Sequence, residues 1–258
     1  MVVLLLGLLI PYLSLIASHH KWFLPLTTLL VSLIFLFAGS FTAGFDANHP
    51  KPNSIFYGLN ADTGKAIWAS ADEKSDEWTS QFLSNKFEKN VLSEFLPMVS
   101  AQFINSPAPV VLLTPPKIEV LSNDLSDDIR TIRMHITSPR QARVMNISLD
   151  SETEVLAAQV NGKQIKYKSL PTTSKSPKPW GLDYFAFPTE GIELTLNIKA
   201  TQAFVLRAVD RSDELPQIPG KSFKPRPNYM MPTAFGYGVG NSTLVSKSFV
   251  LASDSNET

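Results

Sequence analysis

Apolar and polar positions divide this chain into three stretches with different periods. Val2 to Ser18 is an uncharged apolar run containing Pro11 and Tyr12, and Phe23 to Phe41 is a second run of nineteen residues. A helix of either length matches the roughly 30 Å of a bilayer core at about 1.5 Å per residue. Only His19-His20-Lys21-Trp22 lies between them. The pattern therefore predicts a transmembrane helical hairpin over residues 1–45, with the lipid bilayer as partner. Trp22 suits the headgroup zone, and Lys21 can snorkel there. Lys21 and the two histidines favour a cytoplasmic turn, which places the rest of an integral membrane protein on the periplasmic or lumenal face. A signal peptide would open with a basic segment. This chain opens Met1-Val2-Val3-Leu4, an abrupt start that looks like the continuation of a longer protein.

The second stretch is shorter and mixed. Gly44 to Pro52 reads as a turn-rich exit. Ser54–Leu59 and Lys65–Ser70 flank Asn60-Ala61-Asp62-Thr63-Gly64, which is a hairpin signal. From Ser75 to Leu96 the period changes: Trp78, Phe82, Phe87, Val91 and Phe95 recur every four to five residues. That spacing predicts one amphipathic helix or two short ones. Ser75 would be the N-cap, Asp76 and Glu77 would complement the dipole, and Pro97 would end the helix.

From Lys117 onward the pattern is β. Lys117–Leu121, Arg130–Thr137, Ala142–Leu149 and Glu154–Val160 read as strands. Asn161-Gly162 is a two-residue hairpin signal, because a type I′ turn needs positive φ twice, and Lys163–Lys168 is the return strand. Leu182–Phe187, Ile192–Ala200, Ala203–Val209 and Thr243–Leu251 continue the series. Leu194, Leu196 and Ile198 alternate with polar residues, as a half-buried strand requires. Strands at roughly ten-residue spacing predict an antiparallel β-sandwich with one or two short helices over residues 46–258. Two proline-rich stretches interrupt it, Pro171–Pro179 and Leu215–Pro232, and both are expected to run as extended surface segments.

Charge changes the picture little. The 258 residues hold 23 Lys and Arg against 23 Asp and Glu, without the basic stripe that a nucleic-acid partner needs. Between Met1 and Phe45 the only charged side chain is Lys21, so the balance belongs to the β region. The chain has no cysteine, which excludes disulfides, CxxC redox chemistry and thiolate-bound zinc.

Candidate chemistry is sparse. The four histidines, His19, His20, His49 and His135, stand in no HExxH or comparable ligand spacing. No GxSxG elbow or P-loop is present. Gly236-Tyr237-Gly238-Val239-Gly240 is glycine-rich, but no helix follows that could hold a phosphate. Asp127-Asp128 and Asp72-Glu73 are acid pairs better read as solvated turns than as calcium ligands. Asn146-Ile147-Ser148 and Asn241-Ser242-Thr243 match the glycosylation sequon. No catalytic, cofactor-binding or metal-binding residue is assigned. Trp68, Trp78, Trp180, Tyr184 and Phe185 are candidate stacking surfaces for a sugar, although core packing explains aromatics equally well. Leu59–Trp68 resembles one blade signature of a quinoprotein propeller, but it occurs once, and a propeller needs repeats.

Several segments together resemble the C-terminal region of membrane-bound M28-type zinc peptidases. They are His49–Tyr57, Asp62–Trp68, Trp78-Thr79, Val209–Ser212, Leu215-Pro216, Arg226-Pro227, Met231-Pro232 and Ser242–Phe249. In that family a peptidase domain with a two-zinc site precedes the membrane helices, and a β-rich domain ends the chain. The resemblance implies a non-catalytic membrane anchor and accessory domain for such a metallopeptidase, with zinc only in an upstream peptidase domain on the same or a separate chain. None of the zinc-ligand motifs has a counterpart here, so no catalytic residue carries over. A stand-alone tethered module binding a glycan or another envelope component is the alternative. Arg207, Asp210 and Arg226 fall in the resembling tail, where a buried ion pair would pin the proline-rich segment.

Overall fold

A computed structural model describes residues 22–42, 44–84, 87–126, 128–150, 153–165, 180–199, 203–233 and 240–251. The chain divides into two compact units. The first comprises Met1–Lys51 with Asn228–Met230, and the second Pro52–Pro227 with Met231–Thr258. Within the first unit, helix α1 spans Phe23–Thr42, and the Lys51 N–H donates to the Tyr229 carbonyl at 2.7 Å.

The expected transmembrane hairpin is corrected here. Among the described residues α1 is the one α-helix, and no helix is long and apolar enough to cross a membrane. The integral-membrane placement falls with it. Helix α1 carries Pro25 in its first turn and includes Thr27, Thr28, Ser32, Gly39 and Ser40. The run from Val2 to Ser18 lies outside the described residues.

The second unit is built from strands, of which β1 and β14 each begin with a residue of the first. After the short β1 (Lys51–Asn53) come β2 (Phe56–Asn60), β3 (Lys65–Ser70), β4 (Glu88–Val91) and β5 (Gln102–Pro107). Then follow β6 (Lys117–Ser126), β7 (Ile129–Thr137), β8 (Val144–Leu149), β9 (Glu154–Val160) and β10 (Lys163–Gln164). The remainder are β11 (Gly181–Phe185), β12 (Ile192–Lys199), β13 (Phe204–Asp213), β14 (Met230–Pro232) and β15 (Ser242–Leu251). Five strands form one sheet in the order β10-β9-β12-β7-β6, and eight form another in the order β11-β8-β13-β15-β2-β3-β5-β4.

Alternation explains how the sheets meet. On β12, Ile192, Leu194, Leu196 and Ile198 are buried while the residues between them are half-buried. On β7, Ile132, Met134 and Ile136 are likewise buried, with Arg133 exposed and His135 half-buried between them. These side chains share one core with Met145, Ile147 and Leu149 of β8 and with Phe204, Leu206 and Ala208 of β13. The two sheets therefore pack face to face through that cluster. The expected wholly antiparallel arrangement is also corrected, because β15 pairs with β2 in parallel. A C-terminal strand thus enters the sheet centre beside the first long strand, a pairing with no local turn to announce it.

The helix expected over Ser75–Leu96 is replaced by a single 3-10 turn, Thr79–Gln81, and the strand β4. The apolar period there serves two surfaces. Trp78 and Phe82 pack near Trp68, whereas Leu92, Phe95 and Leu96 join Phe56 and Phe103 in a second core. Successive β2 residues point to opposite faces, so Phe56 meets one group and Tyr57 the other. All five residues of β2 are buried as a result.

Turn chemistry fixes the register locally. Asn161 and Gly162 have φ of 48° and 75°, so the β9–β10 hairpin has the positive-φ pair its sequence demands. Gly191 opens β12 with φ 86°, and a Cβ there would lie 2.3 Å from the Ile136 carbonyl oxygen. Gly191→Ala is expected to cost about 2 kcal/mol from backbone strain and displacement of β7. Urea unfolding followed by circular dichroism measures it; an unchanged midpoint would mean that this turn is not held as described.

Candidate functional site

The proline-rich segment Leu215–Pro227 closes over the aromatic end of the large sheet. Its prolines have no N–H for a strand ladder, so side chains from the facing loop hold it. The Lys224 N–H donates to Gln81 Oε1 at 2.7 Å. The Lys224 carbonyl accepts from Trp78 Nε1 at 2.8 Å and from Gln81 Nε2 at 3.2 Å. Both partners come from the turn at residues 76–81, and Asp76 organises that turn. Asp76 Oδ1 accepts the N–H groups of Trp78 and Thr79, and Thr79 Oγ1 accepts the Asp76 N–H. Ser75, the expected cap, is displaced from that role by its neighbour.

Behind the strap lies an aromatic stack. Phe223 packs on Phe82 with centroids 4.5 Å apart and meets Trp68 edge-on at 5.8 Å. Trp68 in turn contacts Tyr57 at 5.1 Å and Phe82 at 4.9 Å. The Arg226 guanidinium sits 4.2 Å from the Trp78 ring centroid, an arrangement in which the ring quadrupole attracts the cation. Burial pulls the Arg226 group below its ordinary value, while the charges of Asp76 and Asp72 act in the other direction. Its Nε and Nη2 are buried without a hydrogen bond. Trp78, Phe82 and residues 215–224 line an open cleft of about 660 Å³, with Lys221 and Lys224 among them.

For the Asp76 carboxyl, burial acts upward, but hydrogen bonds from Thr79, Asn53 and Trp78 prevail and hold it below its ordinary value. A depressed folded value gives stability that is present above the unfolded value near 3.8 and is lost as pH falls through the folded one. Asp76→Ala is expected to cost about 1–2 kcal/mol at pH 7, as loss of a cap does. The deficit should shrink in acid below pH 4, and urea unfolding at pH 7 and pH 3 checks both statements.

Among the described residues no group of three His, Cys, Asp or Glu is placed to hold a metal. His135 Nε2 lies 2.9 Å from the Glu190 carbonyl, and His49 is 3.4 Å from Asp46. His19, His20, Asp127 and residues 236–239 lie outside the described residues, as does Pro171–Pro179. Asp72 accepts the Ser54 N–H, and Asp128 occupies a turn with φ 63°. Of the sugar-stacking candidates, Trp68, Trp78 and Trp180 are 2%, 7% and 4% exposed, and Phe185 is 66% exposed. Asn146 lies within β8 with its amide on Asp183, and Asn241 sits in a turn with φ 57°.

The expected grouping of Arg207, Asp210 and Arg226 is not what the fold assembles. Arg207 donates to Ser246 Oγ, and Arg226 stacks on Trp78. Asp210 is fully buried and pairs with Arg140 at 2.6 Å, while Ser138 Oγ donates to its other oxygen at 2.6 Å. Arg140, Gln81 and Lys224 were not legible as site residues. Arg140 follows Pro139 in a loop, and nothing in its spacing points to a strand residue seventy positions away. Comparison with known protein families and with curated proteins finds no match.

Proposed function

We propose that the β unit is a non-catalytic accessory domain of an M28-like zinc peptidase, and that it engages the peptidase domain around the cleft of Trp78 and the 215–227 strap. The observation that carries this reading is how the resembling segments meet. Asp62 of the first hairpin pairs with Lys247 of β15 at 2.9 Å and accepts the Ser248 N–H. Trp78 of the third segment lies under Arg226 of the tail. Leu215 and Pro216 line the same cleft as Trp78. Segments scattered along the sequence thus touch one another, as a shared structural unit requires. A glycan-binding module has less support, because three tryptophans are turned inward.

The cleft offers apolar walls with Lys221 and Lys224, suited to an extended partner segment. The test is titration of the full chain against a zinc-loaded M28-type peptidase domain from the same host, read by calorimetry. Saturable binding that Gln81→Ala weakens about tenfold is the expected result. Absence of binding at high micromolar concentration overturns the proposal. Zinc-dependent aminopeptidase activity from this chain alone also overturns it.

A further inference from the structure

We infer that β6 is a pairing edge for a second copy of this chain, joining two five-stranded sheets across a two-fold axis. Four strands edge the two large sheets. β10 has 2 residues, β4 has 4 and β11 has 5, whereas β6 has 10. Short edges resist pairing with other chains, and three of these four are short. β6 instead exposes Val120, Leu121 and Leu125, with Ile129 just beyond, each at 40–61%. β6 has no strand neighbour on its outer side among the described residues, and such an edge bordered by apolar side chains is a template for another strand.

A bulge decides which register is open. On β6, Ile118 and Val120 face Ile136 and Met134 of β7; the register then shifts, and Asn123 and Leu125 face Ile132 and Arg130. Even-numbered residues before Leu121 therefore share a backbone class with odd-numbered residues after it. Only residues of one class can oppose each other in an antiparallel ladder. A regular strand could pair with its own copy only in registers whose residue numbers sum to an even value. The bulge opens the odd sums, and one of them is distinguished by charge. When the numbers sum to 241, Lys117 faces Asp124 of the second copy, Ile118 faces Asn123, Glu119 faces Ser122, and Val120 faces Leu121.

The symmetry makes the Lys117–Asp124 pair occur twice, at both ends of the contact. Both side chains are exposed and belong to the class that faces away from the Met134 side. Neither takes part in an ion pair among the described residues. The apolar Val120 and Leu121 close the centre, so the contact has an apolar middle and charged ends.

The absence of cysteine from the chain permits a direct test with the full-length protein. Lys117→Cys and Asp124→Cys variants are oxidised separately and as a mixture, and resolved without reductant. In the proposed register, residue 117 of one copy lies within disulfide reach of residue 124 of the other. The two copies of residue 117 are about 23 Å apart, from seven residues at about 3.3 Å each. A covalent dimer that forms in the mixture, with little in either variant alone, is the expected result. Equal cross-linking in all three samples, or none in the mixture, overturns the inference. Sedimentation supplies the second arm. Lys117→Asp and Asp124→Lys each weaken dimerisation at least about tenfold by opposing like charges, and combining them restores it. Failure of the combined variant to recover overturns the register.

Discussion

Replacing Arg140 by Met is expected to remove about 3–5 kcal/mol of stability, the cost of stranding a buried charge. The carboxylate it leaves belongs to Asp210, which has no exposed side-chain surface, while Arg140 itself is 13% exposed. The guanidinium also donates to Ser212 Oγ at 3.0 Å, tying the loop after β7 to β13. Burial pushes the Asp210 carboxyl above its ordinary value, against the pull of Arg140 and of the hydrogen bonds from Arg140 and Ser138. The folded value lies above the unfolded one near 3.8, so ionising Asp210 costs stability as pH rises through that window. Removing Arg140 raises the folded value further and widens the window. The deficit of Arg140→Met should therefore be smaller at pH 4 than at pH 7. Urea unfolding at both pH values tests this. A deficit independent of pH would show that Arg140 acts through packing alone. Adding Asp210→Asn to Arg140→Met should recover much of the loss, because the uncompensated charge is gone.

Trp68→Ala is expected to cost about 3–5 kcal/mol, in line with deletion of a large buried aromatic. Trp68 is 2% exposed and touches Tyr57, Phe82 and Phe223. Its loss would open a void that β2 and β3 cannot collapse into, because both strands are held in the sheet by partners on each side. Trp68→Phe should cost less than half as much, since a ring still fills most of the space. Because Phe82 and Phe223 also border the cleft, near-ultraviolet circular dichroism should change even where the fold survives. Stability within about 1 kcal/mol of the parent chain would show that this stack is not a packed core. Global stabilities of about 5–15 kcal/mol mean that either substitution brings the domain close to its unfolding threshold.

Several strands could be read directly from the chain. Ile192–Lys199 announces itself because Leu194, Leu196 and Ile198 are spaced by the pleat, and Asn161-Gly162 because few other pairs accept positive φ twice. β5 was passed over. Its Gln102–Pro107 run lacks strict alternation and carries a proline, which is tolerated at the end of a strand. The pattern at Ser75–Leu96 misled for a physical reason: apolar residues that serve two opposite faces of one sheet can mimic the period of a helix. Trp78 and Phe95 are such a pair. The candidate site was less legible still. Trp78 and Arg226 could be noticed as unusual residues, but no local rule brings an arginine to a tryptophan 148 positions away.

By itself the sequence determined a mainly β chain with balanced charge, without thiol chemistry, and with turns fixed by Asn161-Gly162 and Asn60–Gly64. Those features follow from short-range physics: side-chain alternation, allowed φ, and residue chemistry. The tertiary structure alone decided that β15 lies parallel to β2, that Asp210 answers to Arg140, and that the proline strap closes over Trp78. It also overturned the two-helix hairpin. Each of these depends on which distant surfaces meet once the apolar faces are buried, and a linear pattern records only that a face is apolar, not what it will be packed against.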